Sequence, residues 1–82
     1  MLEKKRFSID TIYVPAKRAK TLEPERVAAL AEDILEHGQT TPIRLRADGA
    51  RFVLIEGLHR LEAMRALGEA HVEGYVVRAR LH

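Results

Sequence analysis

The stretch Arg51-Phe52-Val53-Leu54-Ile55-Glu56 is apolar through its centre, stops at Gly57, and is followed at once by a helical pattern. A strand of that composition is expected to be buried on both faces. A glycine that turns it straight into a helix leaves few arrangements besides a layered domain of strands and helices. With 82 residues the chain suffices for one domain, burying roughly 60% of its unfolded surface. No repeat, low-complexity tract or linker divides it, so residues 1–82 read as a single domain, with 1–6 as a flexible basic tail.

The remaining elements follow from spacing. Phe7 to Val14 is rich in β-branched and aromatic residues and is closed by Pro15, which predicts a strand. A basic connection runs to about Leu22. Pro24 suits a first helical position, Glu23, Glu25 and Glu32 put negative charge at or near the helix's positive end, and Val27, Leu30, Ala31, Ile34 and Leu35 share one apolar face. Gly38 stops that helix, and His37 in its last turn meets the negative end. Pro42–Arg46 and Arg51–Glu56 flank an Asp48-Gly49 turn and predict a β-hairpin. Leu58, Leu61, Met64 and Leu67 give a second helix closed by Gly68. Val72 and Tyr75–Val77 predict a last strand. The order is β-α-β-β-α-β, a small α/β (α+β) fold with two main helices. It has too few helices for a dinucleotide-binding fold and no G-x-G-x-x-G turn.

Composition excludes several functions. The chain has no cysteine, so disulfides, thiolate metal sites and cysteine nucleophiles are ruled out. No apolar run nears the roughly 20 residues that span a bilayer, and the N-terminus has no apolar signal core, so no membrane partner and a cytoplasmic location are expected. The net charge is only +2. Its basic residues nevertheless cluster as Lys4-Lys5-Arg6 and as Lys17, Arg18 and Lys20. Each group is either a solvated segment or a nucleic-acid-facing patch. No aromatic residue interleaves with them, so base stacking finds no support there.

Chemistry is expected at Glu56-Gly57-Leu58-His59-Arg60. A helix N-terminus offers unpaired N–H groups and partial positive charge to an anion, and Gly57 permits close approach to the backbone. His59 and Arg60 in the first helical turn are unfavourable unless an anion compensates them, a local conflict of the kind that marks function. Arg60 can grip a phosphate with its planar fork, and His59 can donate a hydrogen bond or exchange a proton. A purely structural alternative pairs His59 with Glu62 and Arg60 with a nearby carboxylate. Glu56 is a candidate base or metal orienter, or simply a solvated strand end. No two histidines share a face at ligand spacing, so no metal site is expected. His71 and His82 are isolated. Phe7, Tyr13, Phe52 and Tyr75 read as packing residues.

Glu56-Gly57-Leu58-His59-Arg60-Leu61-Glu62-Ala63 resembles a signature shared by ParB N-terminal domains (Gly-Glu-Arg-Arg-x-x-Ala), sulfiredoxins (Gly-Cys-His-Arg) and free-serine kinases (Asp-Gly-His-His-Arg). Upstream, Leu30 to Gly38 followed by Pro42-Ile43 is similar to the ParB pattern Leu-Ala-x-Ser-Ile-x-x-x-Gly-x-x-Gln-Pro-Ile. The resemblance covers at least Ile9 to Val77. It implies the ParB/sulfiredoxin-like fold and a nucleotide triphosphate with Mg²⁺ as ligand. Gly57, Leu58, His59 and Arg60 would lie at the phosphates, Gly38, Gln39, Thr40 and Thr41 would face base or ribose, and Arg18 matches the arginine after the first ParB strand.

Departures narrow this. Leu58 stands at the sulfiredoxin cysteine, which excludes that activity. Thr41 replaces a glutamine usual in ParB proteins, which bears on CTP preference. No carboxylate follows the first strand, where the kinases carry a glutamate. Three functions remain, in order: a nucleotide-binding module, with a possible accessory role in DNA partition or plasmid maintenance; a nucleic-acid-binding accessory domain using Lys4, Lys5, Arg6, Lys17 and Lys20; and a small nucleotide hydrolase, kinase or nuclease with Glu56 as catalytic carboxylate. DNA or a DNA-associated protein is the expected macromolecular partner. Exposed sheet edges make a homodimer conceivable.

Overall fold

The structure, a computed structural model, describes residues 3–78. Strand β1 (Lys5–Ser8) leads through a 3₁₀ turn (Ile9–Thr11) into β2 (Ile12–Tyr13). A short helix α1 (Ala16–Ala19) and the long α2 (Pro24–His37) follow. The hairpin of β3 (Ile43–Asp48) and β4 (Arg51–Glu56) leads into α3 (Leu58–Ala66) and β5 (His71–Val76). The predicted elements are all present, with one strand more. Phe7 to Val14 is two strands rather than one, because the 3₁₀ turn breaks it, with Thr11 Oγ1 donating to the Ser8 carbonyl at 2.7 Å.

The five strands form one mixed sheet in the order β1-β5-β3-β4-β2. β1 and β2 therefore lie at opposite edges although they are adjacent in sequence. β1 runs antiparallel to β5, with Lys5 opposite Gly74 and Arg6 opposite Glu73. Lys5 and Arg6 are thus paired in the sheet and do not belong to a flexible tail; Met1 and Leu2 lie outside the described residues, as does His82. β2 and β4 are parallel, as are β3 and β5, and β3 and β4 are antiparallel. Gly49, with φ 61°, takes the first position of the two-residue hairpin loop, where a positive φ suits the strand twist.

One face of the sheet carries the core. Phe7, Ile43, Leu45, Leu54 and Val72 meet Ile34 of α2 and Leu58, Leu61, Ala63 and Met64 of α3. α3 lies between α2 and strands β3 and β5, which is why it is apolar on more than one side. α2 packs mainly on α3 and is amphipathic. Val27, Leu30, Ala31 and Ile34 turn inward, while Leu35, expected with them, is 77% exposed. Adjacent positions point about 100° apart on a helix, and Ile34 already fills the seam. β4 is buried on both faces at its centre, as its composition predicts. Leu54 joins the core cluster, whereas Val53 is buried but outside it, and Ile55 is half-buried.

Candidate functional site

β2 and β4 run parallel, and β3 runs against them, so the C-terminal ends of the first two and the start of β3 meet at one end of the sheet. Ligand crevices in open α/β sheets form outside such strand ends. A cleft of 330 Å³ lies there. Arg18 and Thr21 come from the connection after β2, Arg26 from the first turn of α2, Thr41 from the loop before β3, and Glu56 to Arg60 from the β4–α3 turn.

The turn is built by its glycine. Gly57 has φ 109°, and a Cβ there would stand 2.6 Å from Ile43 Cγ2. Packing against β3 thus demands the glycine in addition to any closeness to a ligand. No side chain caps α3 at Gly57, so nothing in the turn's own side chains satisfies the first N–H groups of the helix.

Two side chains on that first turn behave differently. His59 is mostly enclosed, and its Nε2 accepts a hydrogen bond of 3.0 Å from the backbone N–H of Glu23. The Glu23 carboxylate is 3.9 Å from the same nitrogen. His59 therefore ties α3 to the start of α2 instead of pairing with Glu62, which bonds Arg65 at 3.5 Å. Arg60 has a buried guanidinium nitrogen, Nη1, with no hydrogen-bond partner. It forms no ion pair with a carboxylate among the described residues, whereas His59 has a structural partner in Glu23 rather than the expected Glu62. A buried donor left unpaired costs about 1–3 kcal/mol, more when charged.

Of the remaining predicted positions, Arg18, Thr41, Glu56, Gly57 and Leu58 are brought together around the cleft. Leu58 contributes mainly to the core, at 7% exposure. Gln39 is turned away. Its Nε2 donates to the Glu73 and Thr41 carbonyls at 2.9 and 3.0 Å, and its Oε1 accepts from the Glu73 N–H at 2.8 Å. Gly38 and Thr40 do not line the cleft either. Sequence reasoning missed Arg26 and Thr21, which lie outside any motif. Arg26 sits 3.6 Å from Glu23, one turn into α2, where its placement depends on how α2 meets α3. Glu56 is exposed and 3.4 Å from Arg44. His37 bonds Asp33 at 3.1 Å across one helical turn. Among the described residues no three His, Asp or Glu side chains gather to hold a metal, and no helix is long and apolar enough to cross a membrane.

The chain as a whole resembles known proteins. The family model described as the ParB N-terminal domain matches residues 4–81. No curated protein matches the chain. Among solved structures, sulfiredoxin from Arabidopsis thaliana superposes with a TM-score of 0.83 at 21% identity, over 94% of this chain and 86% of that one. The C-terminally truncated chromosome-partitioning protein ParB from Caulobacter crescentus, complexed with CTP-γ-S, gives 0.78 at 20% identity over 98% of this chain. A free serine kinase in complex with ADP gives 0.78 at 17% identity over 90%. The chain spans 46% of that ParB structure and 30% of the kinase. At these identities the likeness is one of fold.

Proposed function

The chain belongs to the ParB N-terminal domain family, and from that premise we propose that it is a nucleotide-binding module whose ligand phosphates sit in the cleft at the start of α3. The carrying observation is the unpartnered, buried guanidinium nitrogen of Arg60 beside an uncapped helix N-terminus. Arg18 and Arg26 line the same cleft, so three arginines converge on a volume suited to a small, highly charged ligand. Nucleotides bound to two structures of this fold support the choice of ligand.

The residues present fit a phosphate better than a metal. Among the described residues Glu56 is the one carboxylate lining the cleft, so a Mg²⁺ ion would arrive on the nucleotide's own phosphates, with Glu56 available to it. The base or ribose would lie toward Leu30, Thr41 and Pro42, which are uncharged lining residues. An accessory role beside DNA, in a cytoplasmic setting, belongs to the same proposal.

A backbone-amide NMR titration with ATP, ADP and CTP, each with Mg²⁺, tests this reading. Saturable shifts centred on Gly57–Ala63 and Thr41–Ile43 are expected, and Arg60→Ala should weaken binding about 10- to 100-fold, the value of a charge-assisted hydrogen bond. Unchanged affinity in Arg60→Ala would remove the site from consideration. Phosphate release above background, abolished in Glu56→Gln, would extend the function from binding to turnover.

A further inference from the structure

The second face of the sheet carries no part of the main core. Ile43 and Leu45, both 0% exposed, point to the helices. Arg44 and Arg46 alternate with them and so point the other way. Register extends that face across the sheet. Tyr13 of β2 lies opposite Val53, Val53 opposite Arg46, and Arg44 opposite Tyr75 of β5. Arg6 of β1 lies opposite Glu73 on the same face. Two tyrosines are thus set among arginines by strand pairing, although the sequence separates them widely.

Charge on this face is unevenly matched. Its acids are already engaged: Asp48 with Arg51 at 3.0 Å, Glu56 with Arg44 at 3.4 Å, and Glu73 with Lys4 at 3.4 Å. Arg46, Lys17 and Arg18 line a shallow cleft of 420 Å³ between α1 and β4 that includes no acid, alongside Pro15, Val53 and Ile55. Tyr13 is 44% exposed, with one side of its ring under the Arg51 guanidinium at 4.2 Å. From β2 to β5 is three strand spacings, roughly 14 Å.

We propose that this sheet face binds single-stranded nucleic acid, with the exposed Tyr13 and the half-buried Tyr75 stacking on bases and Arg46, Lys17 and Arg18 holding backbone phosphates. Aromatic side chains on a sheet surface stack two or three unpaired bases, and flanking cations track the backbone. An acidic polypeptide would use the cations but not the tyrosines, and a duplex keeps its bases out of their reach. The cleft at Arg46 and Lys17 is separate from the nucleotide cleft except at Arg18 and Thr21, which border both.

Fluorescence anisotropy of the full chain with a labelled single strand of about a dozen nucleotides, in about 50 mM salt, tests it. Saturable binding is expected to exceed that of the matching duplex and of poly-glutamate, and to weaken as salt rises. Tyr75→Ala should weaken it on the order of tenfold, with Tyr75→Phe restoring it. Arg46→Glu should weaken it at least as much while leaving nucleotide titration shifts at Gly57 unchanged. Circular dichroism melts establish that each variant folds. No binding at low salt, or binding that is equal for duplex and poly-glutamate and indifferent to Tyr75→Ala, would overturn the proposal. Because Arg46 does not line the nucleotide cleft, this result stands whether or not the cleft binds a nucleotide.

Discussion

Arg60 and Gly57 are neighbours on one turn, yet substitution should separate their roles. Replacing Arg60 by Met removes a buried donor that has no partner, so stability to urea should stay level or rise slightly while nucleotide binding weakens about 10- to 100-fold. Gly57→Ala should do the opposite kind of damage. Its φ of 109° disfavours any side chain, and the new Cβ would press into Ile43. A loss of about 2–4 kcal/mol in urea denaturation is expected from strain and overpacking together. The importance of Gly57 and Arg60 could be read from their place between a strand and a helix. That the glycine answers to Ile43 could not, since fourteen positions separate them in the chain. Gly74 is similar. A Cβ there would come within 3.0 Å of Ile43, and nothing in its local sequence distinguishes it.

At the level of elements, the loop after α2 shows how a side chain can complete a sheet. Pro42, just ahead of β3, has no N–H to offer the neighbouring strand. The Gln39 carboxamide takes that place and pairs with both backbone groups of Glu73. Gln39→Ala leaves those groups unpaired in a half-buried position and should cost about 1–3 kcal/mol, measured by urea denaturation, with little change in nucleotide affinity. On α2 the contrast lies between adjacent residues. Ile34→Ala should cost about 2–5 kcal/mol, as a truncated core residue does. Leu35→Lys should stay within about 0.5 kcal/mol because Leu35 already faces water. Helical periodicity located both leucine-type positions on α2, and capping signals at Pro24 and Gly38 bounded it well. Periodicity alone cannot choose between residues at the margin of an apolar stripe. The partner helix makes that choice.

For the whole molecule, ligand binding should be visible as stability. A nucleotide that binds only the folded chain at ten times its dissociation constant adds about 1.4 kcal/mol, worth roughly 6–11 °C in the melting midpoint of a domain this size. Scanning calorimetry with and without nucleotide measures it, and a 10- to 100-fold weakening in Arg60→Ala should cut the increment to about 0.4 kcal/mol or less. The two basic groups illustrate what the assembled chain changes. Lys4-Lys5-Arg6 and Lys17-Arg18-Lys20 are close in sequence, but the order β1-β5-β3-β4-β2 sends their strands to opposite edges. The same pairing sets Tyr13 and Tyr75 among arginines. By itself the sequence determined the strand–glycine–helix turn, the two long helices, the β3–β4 hairpin and the absence of thiol chemistry, because each depends on residues within a few positions of one another. Tertiary structure alone decided that Arg26 joins the cleft, that Gln39 leaves it, that His59 holds α2, and that the aromatics meet the cations. Those outcomes depend on strand order and helix packing, which bring together side chains that no local pattern relates.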